Sequence, residues 1–326
     1  MQYRTLGRSG YRVSEIGLGC WQLGNDFGSL EQDQAQAILD MSQQQAVNFL
    51  DTADVYGGGL SEQRIGGWLK TQPKQPYVVT KVGRDGALFP DGYTKAKVAK
   101  SLNDSAQRLG VDCIDLAQLH CVPRDILFDG ELLSWMEDFQ KEGLIHHFGA
   151  SVEMIDEAVF CAEQPKLSSI QIIFNIFRQD AVEQLFPKAQ ENNVGIIVRL
   201  PLASGLLSGK ASSQRVYADN DHRNYNKDGA AFHVGETFNG IPFAKGLELV
   251  EALKGYLPTG MTMQQLALRW ILDHRAVSSV IAGASSAQQL QANALCSELP
   301  PLPSELHEQL SQFYFSEVRQ HIRGGI

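Results

Sequence analysis

Tyr77-Val78-Val79-Thr80-Lys81-Val82 is a short, almost continuously apolar run carrying a single lysine. A half-buried strand would alternate apolar with polar residues. An unbroken run predicts a parallel strand covered on both faces. Seven further strand-like runs flank it, at 15–21, 47–51, 113–121, 144–151, 169–175, 194–200 and 277–284. Amphipathic stretches separate them. Val98, Leu102, Ala106 and Leu109 recur at helical spacing, with Gly110 placed to end that helix. Leu266, Ala267, Trp270 and Ile271 mark another helix, over 263–274. Eight strands alternating with helices predict an α/β chain folded as a (β/α)8 TIM barrel, one domain spanning 1–326. A doubly wound sheet is the architectural alternative. Leu302, Leu306, Leu310 and Phe313 predict an extra C-terminal helix on the outside. The segment 211–242, rich in Asn, Asp and Gly, follows the seventh strand. A loop this long in a compact domain is usually functional.

Composition narrows the class. Hydrophobic residues at 43% and charged residues at 20% are ordinary for a soluble globular protein. The net charge of −9 argues against general binding to nucleic acid or an anionic membrane. No apolar stretch reaches the roughly 18 residues of a membrane span. The N-terminal residues lack a signal-peptide pattern, which makes the cytoplasm the expected compartment. Five scattered cysteines without a C-x-x-C pair fit reduced thiols.

Several familiar motifs fail. Gly17-x-Gly19 follows the first strand, but the next glycine is Gly24, so the dinucleotide fingerprint of a Rossmann domain is absent. Gly205-Leu206-Leu207-Ser208-Gly209-Lys210 is one residue short of a phosphate loop, and Ala211 stands where a hydroxyl must hold magnesium. His146 and His147 are adjacent on a strand and point to opposite faces, a poor geometry for one metal. No metal-binding or activated-serine motif appears, and no metal ligands are expected.

What remains is a group of four residues at successive strand ends. Asp51 closes the second strand, Tyr56 follows in its loop, Lys81 lies at the end of the third and His120 at the end of the fourth. In a parallel barrel those ends open on one face. An unpaired ammonium inside an apolar run is expensive, so Lys81 needs a partner, and Asp51 on the neighbouring strand is the nearest carboxylate. A phenol, an ammonium, a carboxylate and an imidazole make a proton-transfer device. Lys81 would lower the Tyr56 pKa from about 10 toward working pH, Asp51 would keep Lys81 charged, and His120 would steer a carbonyl oxygen.

With these residues the chain resembles the aldo-keto reductase family, bacterial branch. Gly17-Leu18-Gly19-Cys20-Trp21, the run 50–57 with Ser61-Glu62, Thr80-Lys81, Asp115-Leu116-x-x-Leu119-His120 and the run 201–210 all fall in family order, and Asp221-His222-Arg223 is similar to bacterial members. The resemblance implies hydride transfer between a nicotinamide cofactor and a small-molecule carbonyl, with Tyr56 as the acid. It places Gly19, Cys20 and Trp21 at the cofactor cleft, and Ser151, Gln171 and Arg199 at the nicotinamide. Leu202, Ser204, Leu206 and Lys210 fall at the pyrophosphate, and Gly283, Ser285, Gln289 and Asn293 at the adenosine. Trp21 either walls the substrate pocket or packs the barrel mouth. Val152 stands where many relatives have Asn. The run 282–289 has no Arg or Lys where relatives often pair the 2′-phosphate. NADP(H) is what the resemblance implies, and NAD(H) stays open. Two other readings stand beside it. A Schiff-base enzyme would need a neutral Lys81, and a cofactor-sensing regulatory module could use the same barrel with little turnover.

Overall fold

The computed structural model describes every residue except 215, 218, 220, 231 and 232, and only the backbone of 222. Among the described residues ten strands form two sheets: β1 (Tyr3–Thr5), β2 (Arg12–Ser14), β3 (Ile16–Gly19), β4 (Phe49–Asp51), β5 (Tyr77–Val82), β6 (Ile114–His120), β7 (Ile145–Ser151), β8 (Ser169–Ile173), β9 (Gly195–Arg199) and β10 (Val277–Gly283). Strands β3 to β10 close into a parallel barrel in sequence order, with β10 returning to β3. All eight predicted strand runs lie in this barrel; the run 77–82 matches its strand end to end, and the others are trimmed by one to three residues.

Period-2 alternation sorts the strand side chains. Phe49, Val79, Leu116, Ile197 and Ile281 point inward and form the barrel's own core with Leu6 and Val13. Outward residues such as Val82, Ala117, Phe148, Ile170 and Val198 pack under the surrounding helices. Two residues further along the same inward faces come Asp51, Lys81, Gln118 and Arg199, and Gln171 joins them from β8 through its hydrogen bonds to Asp51 and Gln118. The barrel interior is therefore apolar below and polar toward its C-terminal mouth.

The N-terminal hairpin β1–β2 is not predicted by the strand runs. It plugs the opposite mouth. Leu6 is fully buried, and Gly7 sits so close to Gly195 N and Ser168 O that a Cβ there would overlap both. Helix boundaries follow local chemistry. Thr94 caps Lys95–Leu109 by accepting from Lys97 N, and Gly110 ends it at φ 71°. Thr262 and Gln265 form a reciprocal capping box on Met263–Leu272. The C-terminal helix runs Ser304–Phe313, its Leu310 fully buried. Among the described residues, no helix is long and apolar enough to cross a membrane.

The segment 211–242 is not wholly irregular, since it holds short helical turns at His222–Tyr225 and Asn226–Asp228. It is tied down by specific bonds. Arg223 pairs with Asp221 and donates to Ser204 O at 3.0 Å. Asn226 donates to the carbonyls of His233 and Gly235 at 2.8 and 2.9 Å. His233 N donates to Glu153 at 2.9 Å, and its ring meets the buried Arg178 guanidinium at 2.8 Å.

Candidate active site

The register of the parallel strands brings the four residues together. Asp51 pairs with Val79 and Lys81 with Gln118, so Asp51, Lys81 and His120 project from neighbouring strands at nearly one level. Tyr56 arrives from the turn Tyr56–Gly59. That turn is held by a close backbone approach, because a Cβ on Gly57, at φ 58°, would lie 2.1 Å from Gly24 O. Only glycine fits there.

Lys81 is 1% exposed, and its ammonium makes three hydrogen bonds. It donates to Asp51 Oδ1 at 2.6 Å, Thr52 O at 2.8 Å and Tyr56 Oη at 3.1 Å. Burial pulls the Lys81 pKa down, but the Asp51 carboxylate and the Tyr56 oxygen outweigh it, and the net direction is up. The lysine is held charged, which is the wrong state for a Schiff-base nucleophile. His120 is buried, and its pKa falls well below 6.5, first through burial and then through repulsion by Lys81, Arg84 and Arg199. It is a neutral imidazole, set edge-on to the Tyr56 ring with centroids 6.1 Å apart.

Tyr56 corrects one expectation. Burial lifts its phenol above 10, and the opposing pull of Lys81 does not reverse the rise, partly because Asp51 works against it. The phenol is therefore firmly protonated at neutral pH. That state suits a group that gives a proton, and Lys81 is placed to stabilise a phenolate rather than to pre-form one.

A residue that sequence reasoning missed supports the pair. Gln118 sits two residues before His120 on the same inward face and is fully buried. Gln171 donates to Asp51 Oδ2 at 2.7 Å and to Gln118 Oε1 at 2.9 Å, and Gln118 donates to Ser169 Oγ at 3.3 Å. Both oxygens of Asp51 are thus fixed. The inward period-2 positions of the sixth strand could have revealed Gln118.

From Tyr56 a continuous cleft runs across the barrel mouth to the helix Ala287–Leu295. Gly19, Cys20, Trp21, Ser151, Gln171 and Arg199 all line it, as do Leu202, Ser204, Lys210, Gly283, Ser285, Gln289 and Asn293. Leu206 does not. Its side chain is fully buried and lies against Gly246, where a Cβ would be 2.8 Å from it. The turn after β9 is tight enough to point this leucine into the core. Trp21 begins a helical turn rather than ending the first strand. It walls the cleft and packs at once, stacking on Tyr56 at 5.4 Å and on Phe238 at 5.9 Å, with Phe27 edge-on at 4.9 Å. Phe27 and Phe238 line the cleft from loops and Arg223 from the short turn His222–Tyr225, where no periodic signal exposes them.

Two features of the cleft fit an extended anionic ligand with an amide end. Arg199 Nε and Gln22 Oε1 are buried with no hydrogen-bond partner, and both residues line the cleft. Arg199 is otherwise braced, donating to Val152 O at 3.2 Å and lying 3.6 Å from Glu153. In the turn after β9, Leu200, Ala203 and Ser204 hold positive φ of 54°, 47° and 48° beside Lys210. Such strain in non-glycine residues, of order 1–3 kcal/mol each, collects at ligand clamps.

For this closed parallel barrel with a buried Asp-Lys-Tyr-His group at its C-terminal mouth, comparison with known proteins gives the family, one of oxidoreductases. The chain belongs to the Aldo/keto reductase family, whose model matches residues 15–314. It is 29% identical over 303 residues to the aldo-keto reductase YhdN of Bacillus subtilis, covering 90% of this chain and 87% of that protein. It is 28% identical over 316 residues to L-galactose dehydrogenase of Arabidopsis thaliana, covering 93% and 90%. Among solved structures it is similar to the holo form of aldo-keto reductase AKR11C1 from Bacillus halodurans, with TM-score 0.75 and 30% identity over 99% of this chain and 100% of that one. The glycerol dehydrogenase AKR11B4 of Gluconobacter oxydans gives TM-score 0.77 and 25% identity, covering 99% and 97%.

Proposed function

We propose that this protein, acting as one barrel unit over residues 1–326, is a nicotinamide-dependent oxidoreductase that reduces a small carbonyl compound to an alcohol. The observation that carries the reading is the Lys81 ammonium. It is locked to Asp51 at 2.6 Å and offered to Tyr56 Oη at 3.1 Å, beside a cleft that runs from Tyr56 to Gln289 and Asn293. The dinucleotide, when bound, supplies the hydride. Ser151, Gln171 and Arg199 would hold its amide end, and Ser204 and Lys210 its phosphates. Tyr56 gives its proton to the carbonyl oxygen, and Lys81 stabilises the phenolate as it forms. His120, uncharged, orients that oxygen without competing as an acid. Trp21, Phe27 and Phe238 wall the site with aromatic surface and limit water.

Tyr56→Phe tests this reading. Turnover on a panel of aldehydes, ketones and sugars should fall by at least about 1000-fold, by analogy with lost general-acid catalysis, while nucleotide binding persists. Near-normal reductase activity in that variant removes the assignment.

A regulatory reading has one supporting observation. A protein named "Probable voltage-gated potassium channel subunit beta" from Oryza sativa subsp. japonica is 29% identical over 321 residues. The intact proton-transfer group in this chain favours turnover. Wild-type protein that binds nucleotide yet reduces nothing on the panel would reverse that preference.

A further inference from the structure

Two residues that line the cleft hold backbone conformations that bulky side chains rarely adopt. Leu200, just after Arg199, has φ 54°, and Phe238, in the segment 211–242, has φ 58°. Phe238 stacks on Trp21, which stacks in turn on Tyr56. Strained backbone of this kind persists only where its surroundings over-determine it. Both turns are tied to one buried side chain that is not itself part of the cleft lining.

That side chain is Asn175, two residues beyond β8 and fully buried. Its backbone is fixed by a reciprocal pair of bonds with the backbone of Arg178, at 3.2 and 2.8 Å. Its Oδ1 accepts from Phe177 N at 2.9 Å, which fixes the side chain as well. From this anchored position Nδ2 donates to Leu200 O at 2.9 Å and to Asn239 Oδ1 at 3.1 Å. Asn239 is the chain neighbour of Phe238 and is also fully buried. It returns a bond from its own Nδ2 to Asn175 Oδ1 at 3.3 Å. Ser204 Oγ adds a second tie between the same two turns by donating to Thr237 O at 3.1 Å. Asparagine suits this junction because its short amide offers two donors and an acceptor. The isosteric aspartate would set acceptor against acceptor at Leu200 O and at Asn239 Oδ1. Movement of either turn would leave a buried amide group unpaired, which is costly.

We propose that Asn175 is a positioning residue that sets the two walls of the cleft against each other, with Asn239 carrying its hold to Phe238. Through Leu200 it places Arg199 and the turn 200–204, on the nucleotide side. Through Asn239 it places Phe238, and with it Trp21, on the carbonyl side. The inference rests on the oxidoreductase reading above.

The test compares two variants of the full-length protein that cut the junction at different points. Asn175→Ser keeps a hydroxyl able to accept from Phe177 N and loses both bonds to the turns. Asn239→Ala leaves Asn175 bonded to Leu200 and Phe177 and frees the Phe238 turn alone. Nucleotide affinity is read by tryptophan quenching with NADPH and with NADH, using the tighter of the two. The carbonyl side is read by kcat and KM for benzaldehyde, a planar carbonyl compound matched to the aromatic walls. Near-ultraviolet circular dichroism reads the Trp21–Phe238 stack without substrate. In Asn239→Ala, KM should rise at least about fivefold, the scale of one hydrogen bond, and kcat should change less. The near-ultraviolet bands should weaken, while the nucleotide dissociation constant stays within about twofold. In Asn175→Ser, KM and the nucleotide dissociation constant should both rise at least about fivefold. The double variant should lose no more than Asn175→Ser, because its second substitution removes a bond already gone. A folded Asn175→Ser protein with both constants unchanged overturns the inference. So do additive losses in the double variant, or nucleotide binding weakened equally by the two single variants. If Asn175→Ser does not fold, Asn239→Ala decides alone, and unchanged KM and bands there overturn the inference. Wild-type protein that reduces no carbonyl compound removes the oxidoreductase reading instead, and the dichroism and nucleotide titrations still test the junction.

Discussion

Replacing Lys81 by methionine keeps most of the side chain's bulk and removes its charge, which isolates the electrostatic part of the site. In the native protein the ammonium lies 2.6 Å from Asp51 Oδ1, with the two residues 1% and 2% exposed. At an effective dielectric constant of about 20 that separation is worth roughly 6 kcal/mol of Coulomb attraction, most of it offsetting desolvation. In Lys81→Met the carboxylate stays buried with Gln171 as its remaining side-chain donor. A broken buried pair of this kind costs about 3–5 kcal/mol. Asp51→Asn in the same background should recover about 2 kcal/mol or more, because no charge is then left uncompensated. Both are measured by urea unfolding followed through the protein's four tryptophans. The pH dependence has a definite sign. Burial already holds the Asp51 pKa above its ordinary value in the native protein, and removing Lys81 raises it further, so the variant's extra penalty grows with pH through that interval and the variant should close on wild type as pH falls from 8 toward 5. A cost below about 1 kcal/mol, or a double variant no more stable than the single one, would refute the argument that this is a buried, charged pair.

Because burial raises the Tyr56 pKa above 10 and holds that of His120 well below 6.5, neither should titrate near neutrality. Reductive kcat/KM should stay within about twofold from pH 6 to 9, and a step near pH 7 would contradict these directions. Asp54 is buried behind the site with Oδ1 unpartnered, and burial, then Glu62, pushes its pKa up to about 7 from 3.8. The folded state thus pays for ionising it as pH rises through that interval. Asp54→Asn should gain about 2 kcal/mol at pH 8 and keep almost none of that gain at pH 4, measured by unfolding at both. Gly57→Ala must displace backbone at Gly24 from a position of φ 58°. It should cost about 2 kcal/mol of stability and shift Tyr56 enough to cut kcat by more than tenfold. Full activity would show that the turn adapts.

The barrel was legible because its strands are buried on both faces. Runs such as 77–82 carry enough apolar residues to read without ambiguity, and the C-terminal helix announces itself through Leu306 and Leu310. The hairpin β1–β2 was not legible, since three-residue strands are too short to show a period. The Asp51–Lys81 contact could be anticipated from the cost of an unpaired ammonium. Gln118 was overlooked because an uncharged side chain in a strand makes no such demand. Leu206 was misplaced because position in a motif does not say which way a residue in a strained turn will face.

By itself the sequence determined the scaffold, the order of its elements and the residue types that meet at its mouth, because periodicity and the cost of burying charge act locally along the chain. Only the tertiary structure decided the protonation of Tyr56, the burial of Gln22 Oε1 without a partner and the pairing of Asn175 with Asn239. Each of these depends on which distant groups share a small, poorly solvated space. Burial sets the sign of a pKa shift, and packing sets which donors and acceptors are left without partners.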